Sequence, residues 1–395
     1  MIRTPSYLDW PFFEDSHRAL AARLTPWAEQ HVSNLDHAED VDAECRRLVG
    51  LLGRAGWLKH CIGETAKDFD SRAICLLREG LAFHNGLADF VLAMQGLGSA
   101  ALSLFGTPEQ RERYLPGVAN GDLIAALALS EPEAGSDVAA MTCTAERDRE
   151  GYRLNGVKTW VSNGGIADFY CVFARTAPAE LRPNGAASAR GISAFVVENE
   201  VPGFEVTERM QVIAPHPLAR LEFNDCHIPA SYRIGEEGAG FHIAMQTLDV
   251  FRTSVAAAAL GFARRALHEA LAHCQARKLF GQTLADFQLT QAALADMTTA
   301  IDSAALLTYR AAWQRDQGYP VTKEAAMAKM SATESAQQVI DRAVQMFGGR
   351  GVVQGETVEQ LYREIRALRI YEGATEIQKL IISRELLKAS AKGTP

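Results

Sequence analysis

Tyr170-Cys171-Val172-Phe173-Ala174 is an unbroken apolar run with no helical period, and it reads as a buried strand. The same pattern returns at Ile192-Ser193-Ala194-Phe195-Val196-Val197. Between the two, residues 177–191 are rich in Ala, Pro, Gly and Ser, which suits an exposed loop between strands. Working outward, residues 123–234 are built of short runs bounded by Gly, Pro, Asn and Asp, so they read as a β-domain. The flanks read differently. From about Ser16 to Ala119 apolar residues recur at helical spacing, as at Leu48, Leu51, Leu52 and Ala55, then Ile74, Leu77 and Leu81. After Gly240, long helical stretches are predicted at 241–276, 286–317, 322–347 and 357–388, lengths that suit a bundle. The fold expected is α+β and multi-domain, with helical domains at 1–122 and 235–395 around a β-domain at 123–234.

The 395 residues suggest about two to three domains. A 48% hydrophobic and 22% charged composition is that of a soluble globular chain with a large core. The net charge of −8 argues against nucleic acid or an anionic membrane as partner. Cysteines 45, 61, 75, 143, 171, 226 and 274 form no CxxC pair and no metal-ligand spacing, so buried reduced thiols and no metal are expected. Residues 1–10 lack an apolar leader and no stretch reads as apolar enough to span a bilayer, which predicts a cytoplasmic location. No GxGxxG follows a strand, which counts against a nicotinamide enzyme.

Four further segments carry the chemistry. They are Leu127-Ala128-Leu129-Ser130-Glu131-Pro132-Glu133-Ala134-Gly135-Ser136-Asp137, Lys158-Thr159-Trp160-Val161-Ser162-Asn163-Gly164-Gly165, Arg277-Lys278-Leu279-Phe280-Gly281 and Gln345-Met346-Phe347-Gly348-Gly349-Arg350-Gly351. A fifth closes the series, Ile370-Tyr371-Glu372-Gly373-Ala374-Thr375-Glu376. In this order and with these gaps the chain resembles the acyl-CoA dehydrogenase family of flavoenzymes, from about residue 10 to residue 390. That resemblance implies a middle domain like a β-barrel and a C-terminal four-helix bundle. It also implies FAD, an acyl-CoA substrate, an electron-transfer flavoprotein as electron acceptor and a homotetramer.

Removing a proton beside a thioester carbonyl needs a carboxylate in an apolar pocket and donors on the carbonyl oxygen. Glu372 can be that carboxylate, and by resemblance it is the catalytic base, its own N–H polarising the thioester. The hydride leaving the β-carbon needs a redox cofactor, since no side chain accepts it. The resemblance implies that the flavin lies against Leu127, Leu129, Ser130, Trp160 and Ser162, with its N5 as hydride acceptor. Alone, Trp160 reads as a core tryptophan. Arg277, Phe280, Gln288, Gln345, Gly348 and Gly349 match the family's adenine and pyrophosphate contacts, partly from a neighbouring subunit. Without the family, Arg277 is a basic helix face and Gly348-Gly349 a helix C-cap. The resemblance further implies that Thr375 and Glu376 are cofactor contacts and that Ser136, Asp249, Arg252 and Gly373 lie on the CoA side. Asp249 and Arg252, three apart on a helix, share a face and read otherwise as a surface pair.

The pattern also departs from the family. Ala374 precedes Thr375, which displaces a hydroxyl that often contacts FAD. His216, between two prolines, reads as a structural or surface histidine rather than a second base, and Phe251 occupies a place where some relatives carry their base, which leaves that role to Glu372. Rival functions on the same fold are an acyl-CoA oxidase, a carrier-protein thioester dehydrogenase and a non-catalytic flavoprotein binding module.

Overall fold

The computed structural model describes residues 6–33, 40–63, 65 and 68–391. Residues 1–5 lie outside the described residues, and so do all but Ala391 of residues 391–395, where small and polar composition predicts a frayed end. The helices of the first third are α1 (Asp15–His31), α2 (Val41–Arg54), α3 (Ser71–His84), α4 (Gly86–Phe105) and α5 (Pro108–Asn120). Local chemistry sets their ends. In α5 the Thr107 hydroxyl accepts from Gln110 N and the Gln110 amide oxygen accepts from Thr107 N, Pro108 opens the first turn, and Gly121 closes the helix at φ 78°. Asp40 and Asp70 cap the starts of α2 and α3, each carboxylate accepting from the amide three residues on, Ala43 and Ala73.

The chain divides into two compact units. One comprises residues 38–69 and 90–251. It holds β1 (Ala125–Ala128), β2 (Thr144–Arg147), β3 (Gly151–Ser162), β4 (Phe169–Arg175), β5 (Ile192–Glu198), β6 (Phe204–Arg209), β7 (Leu218–Pro229) and β8 (Arg233–Ile234). The pairing path is β6-β7-β3-β2-β4-β5-β8, with β1 parallel to β4. Every residue of β4 is buried, which explains an apolar run without alternation. Residues 177–191 are indeed a loop, from β4 to β5. The barrel-like expectation is not met: β6 and β8 end the path and do not pair with each other among the described residues, so the sheet is open. In this unit a Cβ on Gly53 of α2 would lie 2.1 Å from the Asn120 carbonyl oxygen of α5. Gly53→Ala is therefore expected to lower stability by about 1–3 kcal/mol, read as a fall in the unfolding midpoint.

The other unit comprises 1–37, 70–89 and 252–395. It contains α1, α3, most of α6 (Gly240–Ala276), the hairpin β9 (Lys278–Leu279) and β10 (Gln282–Thr283), then α7 (Gln288–Asp316), α8 (Thr322–Phe347), α9 (Thr357–Leu368) and α10 (Thr375–Ala391). Its core is an alanine seam, Ala256–Ala259 and Ala266 of α6 with Ala304, Ala305 and Ala312 of α7 and Ala328, Ala332 and Ala336 of α8. Small side chains let these helices approach closely. The predicted helix 357–388 is in fact two, broken at residues 369–374, so the described residues of the C-terminal region form five α-helices where four were expected.

Two other expectations meet a clear result. All seven cysteines are free and buried. Helix α4 is long and apolar enough to cross a membrane by length and composition, with mean hydropathy 1.4, contrary to the reading that no stretch qualifies. Most of it is buried inside the protein, which is the signature of a core helix.

Candidate active site

The break between α9 and α10 puts Glu372 at a turn with φ 52°, followed by Gly373 at φ 91°. Left-handed backbone at a glutamate persists only when its surroundings hold it. Here side chains do so. Lys329 of α8 donates from Nζ to the Tyr371 carbonyl at 2.9 Å and the Gly373 carbonyl at 2.6 Å. Gln378 of α10 donates from Nε2 to the same Gly373 oxygen at 2.8 Å and to the Glu372 carbonyl at 3.3 Å. Glu334 ties the ends together, accepting from Arg369 at 2.8 Å and from the Thr375 hydroxyl at 2.6 Å. A Cβ on Gly373 would lie 2.6 Å from Gln378 Nε2. Strain and crowding together make Gly373→Ala cost about 1–3 kcal/mol, measurable as a lowered melting midpoint.

The Glu372 side chain points into a charged pocket. Its Oε2 is buried and meets no hydrogen-bond partner, although the residue as a whole keeps some exposure. Burial raises its proton affinity above that of an ordinary carboxylate; Arg78, Lys329 and Arg252 oppose the rise and Asp89 adds to it. Arg78 of α3 is itself buried, forked onto Asp89 by two bonds of 2.8 Å and donating to Ser254 at 3.1 Å. Lys329 is wholly buried, and burial pushes it down to about 8 against the pull of Glu372. An unpartnered carboxylate oxygen held among fixed charges is equipped to take up a proton.

In the sheet-bearing unit, Lys158 of β3 donates to Glu131 at 2.7 Å and to the Leu129 carbonyl at 3.1 Å. Glu131 also accepts from Thr142 N, Thr142 Oγ1 and Cys143 N. The Thr159 amide donates to the Ser130 carbonyl at 3.0 Å, so the 129–131 loop is fastened to β3 beside Trp160. The β3–β7 register shifts between Lys158 and Val161, and Trp160 has φ 56°. The result is an indole 62% exposed, which excludes the core reading. Ser130, Ser162 and Leu127 are partly exposed and Leu129 is buried beneath them in the sheet's core. These groups offer an apolar ring, hydroxyls and backbone to a planar heterocycle. Ser136 is exposed in the following loop.

In the helical unit, Phe280 and Gly281 form the tip of the β9–β10 hairpin with φ 49° and 81°, and Phe280 is 90% exposed. His273 of α6 stacks on Phe347 of α8 at 4.2 Å, which brings the Arg277 and Gly348 segments to one end of the unit. Burial, then the charges of Arg350 and Arg277, lower the proton affinity of His273. Gly348 does end α8, at φ 62°, and nothing lies within 4 Å of a Cβ on Gly348 or Gly349. Arg277, Gln288 and Gln345 are exposed. Bare glycine backbone beside two guanidinium groups fits a pyrophosphate. Thr375 commits its hydroxyl to Glu334, and Glu376 is exposed in the first turn of α10.

Asp249 and Arg252 both lie on α6, but Arg252 is 6% exposed, so the pair is not a surface ornament. His216 is structural as expected, its Nδ1 3.0 Å from the Ala214 carbonyl and its ring 4.5 Å from that of Phe90. Phe251 is buried, packed where a Cβ on Gly96 would strike its ring. Sequence reasoning missed Lys329, Gln378, Arg78 and Asp89, and gave Lys158 and Glu131 no role. The available signal was a lysine inside the apolar run Ala325-Ala326-Met327-Ala328-Lys329.

Residues 14–122, 126–226 and 238–387 match the acyl-CoA dehydrogenase N-terminal, middle and C-terminal domain families. A probable acyl-CoA dehydrogenase fadE25 of Mycobacterium leprae is 36% identical over 95% of this chain and 96% of its own. Butyryl-CoA dehydrogenase from Megasphaera elsdenii superposes with a TM-score of 0.85 at 33% identity, covering 95% of this chain and 99% of that one. The FAD complex of PigA gives 0.85 at 30% identity over 95% and 98%.

Proposed function

We infer that this chain, which belongs to the acyl-CoA dehydrogenase family, converts an acyl-CoA to the trans-2-enoyl-CoA with Glu372 as the base. It is an oxidoreductase and its cofactor is FAD. Bound FAD supplies the hydride acceptor that no side chain provides. The observation that carries the assignment is the buried, unpartnered Oε2 of Glu372, held at a turn by Lys329 and Gln378. Burial gives the carboxylate a high proton affinity, while Arg78, Lys329 and Arg252 oppose that rise and favour the ionised form that can receive the α-proton.

The remaining roles belong to the same proposal. Trp160, Ser130, Ser162, Leu127 and Leu129 hold the flavin ring; Arg277, Phe280, Gln288, Gln345, Gly348 and Gly349 serve the adenine and pyrophosphate; Thr375 and Glu376 are further cofactor contacts; Ser136, Asp249, Arg252 and Gly373 lie on the CoA side. Electrons leave to an electron-transfer flavoprotein, in the cytoplasm, from a homotetramer. Exposed Leu289, Val352, Leu380 and Leu387 support assembly. Sedimentation at four times the 43.0 kDa chain mass is the expected result, and a monomer carrying full FAD overturns the shared site.

The deciding experiment is anaerobic titration of the FAD-loaded protein with acyl-CoAs of varied length and branching. Selective loss of flavin absorbance with one class is expected and names the substrate. Retained FAD with no bleaching by any CoA ester overturns the proposal and moves carrier-protein thioesters or a non-catalytic role ahead. Rapid oxygen consumption during turnover would instead mark an oxidase.

A further inference from the structure

We propose that Lys329, gripping the carbonyls on both sides of Glu372, is a positioning residue that sets the carboxylate and the Glu372 amide in their working orientation. This rests on the reading of Glu372 as the base. The grip is unusual in form. One ammonium group donates to the Tyr371 and Gly373 oxygens, while Gln378 takes the Glu372 oxygen and shares that of Gly373. Three successive carbonyls of the turn are thus directed at two side chains. In a trans peptide the N–H points opposite to its C=O. Fixing the Tyr371 carbonyl therefore fixes the Glu372 N–H on the other side, where it donates to no backbone oxygen of the described residues. An amide left in that way is a ready donor for a developing oxyanion.

Packing alone does not account for this lysine. Lys329 lies fully buried on the alanine face of α8 beside Ala325, Ala326, Ala328 and Ala332. A Met there keeps the volume without burying a charge, and burying an ammonium is costly unless it is satisfied. Two carbonyls and the Glu372 carboxylate provide that satisfaction, and the ammonium returns a favourable charge to the base. Glu372 is faced by Arg78 from α3, Asp89 from α4, Arg252 from α6 and Lys329 from α8. Lys329 in turn is faced by Glu372, Arg252, Glu334 and Glu376.

The test compares wild type, Lys329→Met, Lys329→Arg and Glu372→Gln as FAD-loaded proteins. Flavin content comes from the visible spectrum, ligand binding from the spectral shift with a thioether analogue of the acyl-CoA that cannot be oxidised, and the bleaching rate is followed against pH. Lys329→Met is expected to keep flavin and analogue binding, to bleach roughly 10- to 100-fold more slowly, and to move the acid limb of the profile to higher pH. Lys329→Arg should recover part of both. A wild-type rate and unmoved limb in Lys329→Met overturn the proposal while leaving Glu372 as base. A wild-type rate in Glu372→Gln overturns the base assignment itself, and with it the clamp. If Lys329→Met fails to hold flavin, Gln378→Leu loosens the same turn from the other side without removing a charge, and an unchanged bleaching rate there counts equally against the proposal.

Discussion

Glu372→Gln protein is expected to bind FAD as the wild type does and to bleach with its acyl-CoA at least about 10²-fold more slowly, with losses to about 10⁴-fold within the range for a general base. The substitution is close to isosteric, so the turn and its grip by Lys329 and Gln378 are kept. What disappears is the lone pair of an oxygen that has no other partner. The sign of the pH dependence follows from the site. A base must be ionised, so the wild-type rate rises with pH through the Glu372 pKa, which burial lifts above the ordinary carboxylate range. Lys329, pushed down to about 8, stops supporting that ionisation as pH passes above its own value. The variant loses the acid limb because no carboxylate titrates at that position. Stopped-flow bleaching between acid and mildly alkaline pH checks both parts, and an acid limb that survives in the Gln variant assigns the proton to another group.

The difference between what was legible and what was not lies in range. Tyr170–Ala174 could be placed in a buried strand because a run apolar on both faces requires cover on both faces, and β4 has it. Glu372 could be singled out by the motif around it. The break at 369–374 could not be read from periodicity, because Ile365, Leu368, Tyr371, Ala374 and Ile377 keep helical spacing straight across it. The turn is instead stabilised by Lys329, which is distant in sequence and whose partners are carbonyls common to all residues. Trp160 shows the same limit. Its composition suits a core, and only the register shift in β3 turns it outward. Closure of the sheet was likewise beyond reach, since it depends on whether β6 and β8 meet rather than on any pattern within them.

Lys158→Met should destabilise the sheet-bearing unit by about 3–5 kcal/mol, because it strands the buried Glu131 carboxylate without its countercharge. Glu131 and Lys158 are both buried, 4% and 0% exposed. Three remaining donors at Thr142 and Cys143 soften the loss but supply no countercharge. The damage also reaches the flavin side, because Lys158 holds the Leu129 carbonyl and the adjacent Thr159 amide holds Ser130. Flavin should therefore be retained less well, and added FAD should recover part of the stability if the loosened loop still binds it. The double variant Lys158→Met with Glu131→Gln separates charge from shape. Neutralising the carboxylate removes the stranded charge but leaves a single acceptor oxygen for one of the Thr142 and Cys143 amides, which now reach different oxygens, so the double variant should recover only part of the stability that Lys158→Met loses. Denaturant midpoints and flavin content of the set are the measurements. A single variant as stable as wild type would show that water reaches Glu131; a double variant no better than the single would assign the pair's effect to packing of the lysine stem and to its bond with Leu129.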